Sequence, residues 1–238
     1  EKSCLLTPKS PINNPGYIPA LIGAYPLSIF QSEDAFVSTI LDHIQQHYTH
    51  DSLFYNYLGT PGYGMTYNCQ LAQCYIRQGD RQSDHIVNWI INTASSTGTF
   101  PESVHPISEG GMTGDGHYSW SSAEVIRLIR NTVILEEGSA LWIMPALPAE
   151  FLSQNGLIFE AHSIPTIFGE ITLRLDKLDD RYTLNISPQF HQKPKFIKIR
   201  FHQNIQHMEI EGKITPIQSL EASIPAQSNT IQFTLAPS

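Results

Sequence analysis

Near Gly138 the spacing of apolar residues changes character, and no other feature of the sequence limits the fold as much. Upstream, apolar residues recur at the three-to-four spacing of helices; downstream, short stretches alternate apolar and polar residues as strands do. The spacing predicts a helical part over residues 1–138 and a β part over 139–238. Helices are expected from Ser32 to about Tyr48, Met65 to Gln78, Arg81 to about Ser95, and from near Tyr118 to about Glu137. The first buries one face through Phe36, Val37, Ile40, Leu41 and Ile44, and the third does so through Ile86, Val87, Ile90, Ile91 and Ala94. The second is apolar on two sides, and the fourth over most of its circumference, from Trp120 to Ile134. Outer, inner, outer, inner is the alternation of helical hairpins stacked in a ring, and four helices make only a partial (α/α) toroid. Beyond it, seven short strands are expected at about 141–144, 157–162, 167–175, 182–186, 196–202, 208–214 and 230–235. No helix separates them, which predicts an antiparallel β-sandwich. Pro8, Pro11, Pro15, Pro19 and Pro26 make the first thirty residues read as irregular.

Charge narrows the partners. The 238 residues carry 14 Lys and Arg against 22 Asp and Glu, a net charge of −8, and no dense basic stripe for phosphate, so no nucleic-acid partner is expected. Lys195, Lys198 and Arg200 alternate with Phe196, Ile197 and Ile199, as on the wet face of a strand. No membrane partner is expected either, since no apolar run is long enough to span one. Cys69 and Cys74 sit roughly 8 Å apart along one helix, beyond the about 7 Å that a disulfide tolerates. With Cys4 the odd count leaves a free thiol, which points to a reducing, cytoplasmic location. The sequence begins at Glu1 with neither an initiator methionine nor a signal-type segment, as the tail of a longer protein or a processed one would. The histidines show no metal-ligand spacing, His43 and His47 read as solvent-facing, and neither metal nor cofactor is expected.

The stretch between Gly98 and Trp120 is unusually long for a connection between two helices, a length uncommon unless the loop is functional. It holds Glu102, Glu109 and Asp115, with His105, His117, Tyr118 and Trp120. Glycoside cleavage needs one carboxylic acid to protonate the leaving oxygen and a second carboxylate to activate water or attack the sugar. Aromatic rings supply flat faces for sugar rings. Tyr63, at the start of the other inner helix, falls at the same end of the helices. Glu124 reads as structural, through a capping box with Ser121 and a pair with Arg127.

Thr99-Phe-Pro-Glu102, then His105-Pro106, then Gly114-Asp-Gly-His-Tyr-Ser-Trp-Ser-Ser-Ala-Glu124, resemble the end of the catalytic domain in glucoamylase-like glycosidases of the six-hairpin, (α/α)6-barrel class. Gln70-Leu-Ala72 with Arg77-Gln-Gly-Asp80 resembles a penultimate inner helix of such barrels. Leu147-Pro148 and Pro165-Thr-Ile-Phe-Gly169 resemble the start of the sandwich domain that follows them. The resemblance implies the C-terminal portion of a hydrolase acting on a glucan or oligosaccharide by an inverting general acid/base mechanism. It makes Glu102 the general base and places the general acid upstream of residue 1, so the isolated chain is expected to be inactive. Asp115, His117, Trp120, Tyr63 and His105 become sugar-contacting candidates. The implied partners are an oligosaccharide or polysaccharide, and either the missing N-terminal half of the barrel or a partner chain. Two alternatives stand beside this: a non-catalytic carbohydrate-binding or interaction fragment, and a disaccharide phosphorylase of the same fold, which the absence of arginine from the loop disfavours.

Overall fold

The structure, a computed structural model, describes residues 17–56, 60–114, 116–210, 212–226 and 228–236; Cys4, Pro8, Pro11, Pro15 and Asp115 lie outside them. The chain divides into two compact units, Glu1–Asn131 and Thr132–Ser238.

In the first unit, α1 (Tyr17–Ala20) and a 3-10 turn (Leu21–Gly23) bury Ile18 and Leu21, and Ala24 and Tyr25 just after them are buried too, so a segment read as irregular supplies core. α2 (Ala35–His47) buries Val37, Ile40, Leu41 and Ile44. It starts later than expected: Ser32 is not its cap, and Asp34 Oδ2 instead accepts the Gln31 N–H at 2.9 Å. His43 is half-buried with its ring 4.6 Å from that of His47, and burial, followed by the neighbouring His47, holds its pKa below the usual value. α3 (Met65–Gln78) is buried on nearly all sides and ends where Gly79 takes the left-handed conformation, φ 71°. α4 (Gln82–Thr93) follows at once, with Asp80 Oδ1 accepting the Gln82 N–H at 2.9 Å. It buries Ile86, Val87 and Ile90, but Ile91 and Ala94, expected in the core, are exposed.

α5 (Ser119–Val133) differs most from expectation. Val125 and Leu128 are buried, but Ile126 (70% exposed) and Ile129 leave one apolar face open, and Trp120 is 62% exposed in the first turn. The helix also ends early. Ile134–Glu137 is a strand, β6 in the numbering below, paired antiparallel with the strand that begins at Ala140 through a turn at Gly138 (φ 57°) and Ser139.

Hydrogen bonds fix the helix directions. Gln78 Nε2 donates to Ser38 Oγ at 3.0 Å and Tyr75 Oη to Gln45 Oε1 at 3.3 Å, so α2 runs antiparallel to α3. The Tyr63 ring, just before α3, lies 5.8 Å from Trp89 near the far end of α4, so α4 is antiparallel to α3 too. Thr66 Oγ1 and Ser121 Oγ meet at 3.5 Å in the first turns of α3 and α5, and further along both helices Asn131 Nδ2 donates to Gln73 Oε1 at 2.9 Å. α3 and α5 therefore run parallel, side by side.

Cys69 and Cys74 are free and buried in α3, and burial pushes both thiols up, Cys74 to about 12. Iodoacetamide at mildly alkaline pH is expected to leave the peptide carrying both unmodified in the native protein and to alkylate both in denaturant, as read by mass spectrometry.

The connections carry a small antiparallel sheet, β1 (Thr49–His50), β2 (Leu53–Asn56), β3 (Gly62–Gly64), β4 (Ser103–Val104) and β5 (Gly111–Thr113), in that order. The last two lie within the stretch read as one long loop. Asn68 is fully buried on α3 and ties β2 down: its Oδ1 accepts the Phe54 N–H at 2.8 Å, and its Nδ2 donates to Phe54 O at 3.0 Å and Gly64 O at 2.9 Å.

The second unit holds β6 (Ile134–Glu137), β7 (Ala140–Ile143), a short α6 (Ala149–Ser153), β8 (Ile158–Thr166), β9 (Gly169–Leu178), β10 (Arg181–Phe190), β11 (Phe196–Ile210), β12 (Lys213–Ile224) and β13 (Thr230–Leu235). Hydrogen bonds join them in the order β6-β7-β11-β13-β10-β9-β8, with β12 on β11. Ile197–Arg200 and Ile205–Ile210 both pair with β12, while the opposite edge of β11 meets β7 first and β13 later, so the sheet forks. The β7–β11 seam is parallel, so the strictly antiparallel arrangement expected from the sequence does not hold there. The core gathers Leu173, Leu175, Leu184, Ile199, Ile205 and Ile231, with the Phe233 ring stacked 5.1 Å from Tyr182 and 4.6 Å from Phe201.

Candidate functional site

The first N–H groups of a helix have no partner within it, and α3 begins after Gly64, which has no side chain to offer one. The chain solves this with Glu102: its C=O accepts the Met65 N–H at 3.0 Å, and its own N–H donates to Thr113 O at 3.0 Å. Both bonds use main chain, so they fix the residue and leave its carboxylate unengaged. The side chain is half-buried, with no hydrogen bond or ion pair among the described residues. Because Thr66 also meets Ser121, the N-terminal ends of α3 and α5 and the main chain of Glu102 converge on one place.

Two glycines make that convergence possible. Gly114 passes over Glu102 at φ 82°, where a Cβ would lie 3.0 Å from Glu102 N and 3.3 Å from its Cβ. Gly62 lies beside β4 at φ 120°, and a Cβ there would fall 2.7 Å from Val104 O. Gly62→Ala is expected to cost about 1–3 kcal/mol in backbone strain and about 1–3 kcal/mol more for the collision. A lowered melting midpoint, with near-normal behaviour of a Gly110→Ala control, where φ is not positive and a Cβ would come no nearer than 3.8 Å to Ser108 Oγ, checks this.

The other candidates are placed as follows. His105 is half-buried; its Nδ1 accepts the N–H groups of Ile107 and Ser108, each at 3.2 Å, so the neutral ring carries its proton on Nε2. His117 is exposed, with Nδ1 2.9 Å from Thr99 Oγ1, a hydroxyl that Ser95 Oγ meets at 2.8 Å. Trp120 is exposed in the first turn of α5. Tyr63 is buried, its ring edge-on to Tyr55 and Trp89, both at 5.8 Å. Glu109 is exposed at φ 56°, and Asp115 lies outside the described residues. Ser121 sits inside α5 and so is no capping residue, while Glu124 pairs with Arg127 at 3.3 Å.

Sequence reasoning missed the polar joint between α3 and α5. Gln73 Oε1 accepts from Asn131 and from Arg77 Nη1 (3.2 Å), and Arg77 and Arg127 lie over the Tyr25 ring at 4.5 and 5.2 Å. Burial raises the Tyr25 hydroxyl to about 12, keeping it neutral, and neither it nor Gln73 Nε2 has a hydrogen-bond partner among the described residues. The repeated polar positions on two apolar helices were the only signal available. No group of three or more His, Cys, Asp or Glu suited to a metal occurs among the described residues, and no described helix is long and apolar enough to cross a membrane. Two concavities, of about 510 and 360 Å³, lie in the second unit, and Glu102 lines neither.

No family model matches the chain, and no curated protein is similar to it. Among solved structures it is similar to an alpha-L-rhamnosidase from Dictyoglumus thermophilum, at 14% identity and a TM-score of 0.48 over 93% of this chain and 25% of that one. It is also similar to a Streptomyces avermitilis alpha-L-rhamnosidase complexed with L-rhamnose, at 14% identity and a TM-score of 0.44 over 93% and 21%. The chain thus spans about a quarter or less of the length of each of these two structures.

Proposed function

We propose that this chain is the C-terminal part of a glycoside hydrolase of the six-hairpin class, with Glu102 as its general base. The observation that carries the reading is Glu102 itself: an unengaged, half-buried carboxylate whose main chain is fastened where two parallel helices begin. In this reading α3 and α5 are inner helices of a toroid and α2 and α4 outer ones. Glu102 takes a proton from water as the water oxygen bonds to the anomeric carbon. The bond to the leaving oxygen breaks as an acid, supplied by the rest of the protein, protonates it, and configuration inverts. Trp120 offers a ring face to the sugar, His117 and the Nε2–H of His105 offer hydrogen bonds, and Asp115 completes the contacts. Tyr63, covered by Tyr55 and Trp89, supports the loop from beneath.

The full-length protein is expected to release p-nitrophenol from at least one of a panel of aryl glycosides that includes the α-L-rhamnoside and α-D-glucoside. Proton NMR should show the first sugar product with the opposite anomeric configuration. No release across the panel, or retained configuration, overturns the reading. A non-catalytic carbohydrate-binding protein is the second reading, favoured by one observation: the second unit has a concavity of about 510 Å³ lined by its own residues.

A further inference from the structure

A concavity lined only by residues of the second unit is a second candidate site, and Glu102 is not among its residues. At about 510 Å³ it falls within the about 300–1,000 Å³ usual for small-molecule sites. Its lining includes Lys177, Asp180, Gln203, Gln206, His207 and Thr234.

Three features mark it as built. Adjacent residues of a regular strand point to opposite faces, yet Gln206 and His207 both line this hollow. The pairing of β11 with β12 and with β13 is irregular between Ile205 and His207, and such a bulge re-aims a side chain at the expense of ladder regularity. Next, Thr234, opposite His207 on β13, has a buried Oγ1 with no hydrogen-bond partner among the described residues, a cost that a ligand hydroxyl would remove. Finally, the one ammonium is already engaged. Lys177 Nζ donates to Leu152 O and Ser153 O, both at 3.1 Å, and lies 5.2 Å from the Tyr182 ring.

We infer that this hollow binds a neutral polyhydroxylated ligand, a single sugar residue, through Gln203, Gln206, His207 and Thr234. Carboxamides donate and accept together, which suits neighbouring hydroxyls that also do both. The lining charges of Lys177 and Asp180 cancel, and Asp180 repels anions. Leu152 and Leu235 supply apolar wall for the C–H faces of the ring.

The test uses the isotope-labelled full chain and NMR titration with D-glucose, D-galactose, L-rhamnose and inorganic phosphate. At least one sugar is expected to shift the amide signals of Gln206, His207 and Thr234 saturably, phosphate to shift none of them, and Glu102→Gln to leave the titration unchanged. Thr234→Val, which removes the unpartnered hydroxyl at nearly constant volume, is expected to weaken binding about tenfold while melting no lower than the parent. Gln206→Ala should weaken it as well. Absence of shifts with all three sugars, equal shifts with phosphate, or unchanged affinity in both folded variants overturns the assignment. Since none of these readouts involves hydrolysis, its failure is distinct from failure of the glycosidase reading.

Discussion

In the full-length protein, Glu102→Gln is expected to lower kcat by about 10²–10⁴-fold, the usual worth of a positioned general base. That corresponds to about 3–5 kcal/mol on the barrier. Gln is isosteric and uncharged, so it keeps the shape of the site and loses only the ability to take a proton from water. The architecture should not notice the change. Met65 and Thr113 bond to the main chain of residue 102, and no described residue bonds to its carboxylate. The melting midpoint and circular dichroism of the variant are therefore expected to match the parent, with KM little altered. Near-parental kcat would remove Glu102 from the chemistry, and a collapsed midpoint would show that its side chain holds the loop together after all.

Asn68→Ala is the opposite case, a large structural effect from a residue with no proposed chemistry. The truncation leaves the Phe54 N–H, Phe54 C=O and Gly64 C=O buried without the partner they have now. At about 1–3 kcal/mol for each such group, partly relieved by rearrangement, the expected loss is about 3–5 kcal/mol. Whole domains have only about 5–15 kcal/mol to lose. The melting transition of the first unit should fall by more than about 10 °C. An exposed asparagine on α4, Asn92→Ala, should stay within about 0.5 kcal/mol of the parent.

Asn68 also shows where the sequence stops being readable. A polar residue in a helix looks like surface until its partners are known, and those lie on β2 and before α3. Where a rule is local the reading is good. α3 is bounded as expected because Gly79 ends it, and β9 is evident because Ile171, Leu173 and Leu175 alternate inward with Thr172 and Arg174 between them. β12 was missed for a reason with physical content: Pro216 argues against a strand, and the strand tolerates it because it pairs on one side only, with β11. β6 was absorbed into the preceding helix because Val133 and Ile134 continue its apolar spacing; the Gly138-Ser139 turn was the overlooked signal. At the site, the length and composition of the 98–120 stretch singled it out. β4 and β5 are too short to show any periodicity, so the support they give Glu102 could not be foreseen.

The order in which the second unit threads its sheet affects how it can be made. β13, the last strand in sequence, lies between β11 and β10, near the middle of the sheet. During synthesis, β8, β9 and β10 can zip as consecutive hairpins, and β11 can pair with β12. The two assemblies have no common neighbour until residues 230–235 slot between them. Non-local pairing of this kind is slow, and it leaves unsatisfied edges open to other chains in the meantime. The small sheet of the first unit has no such dependence, because its strands pair in sequence order from β1 to β5.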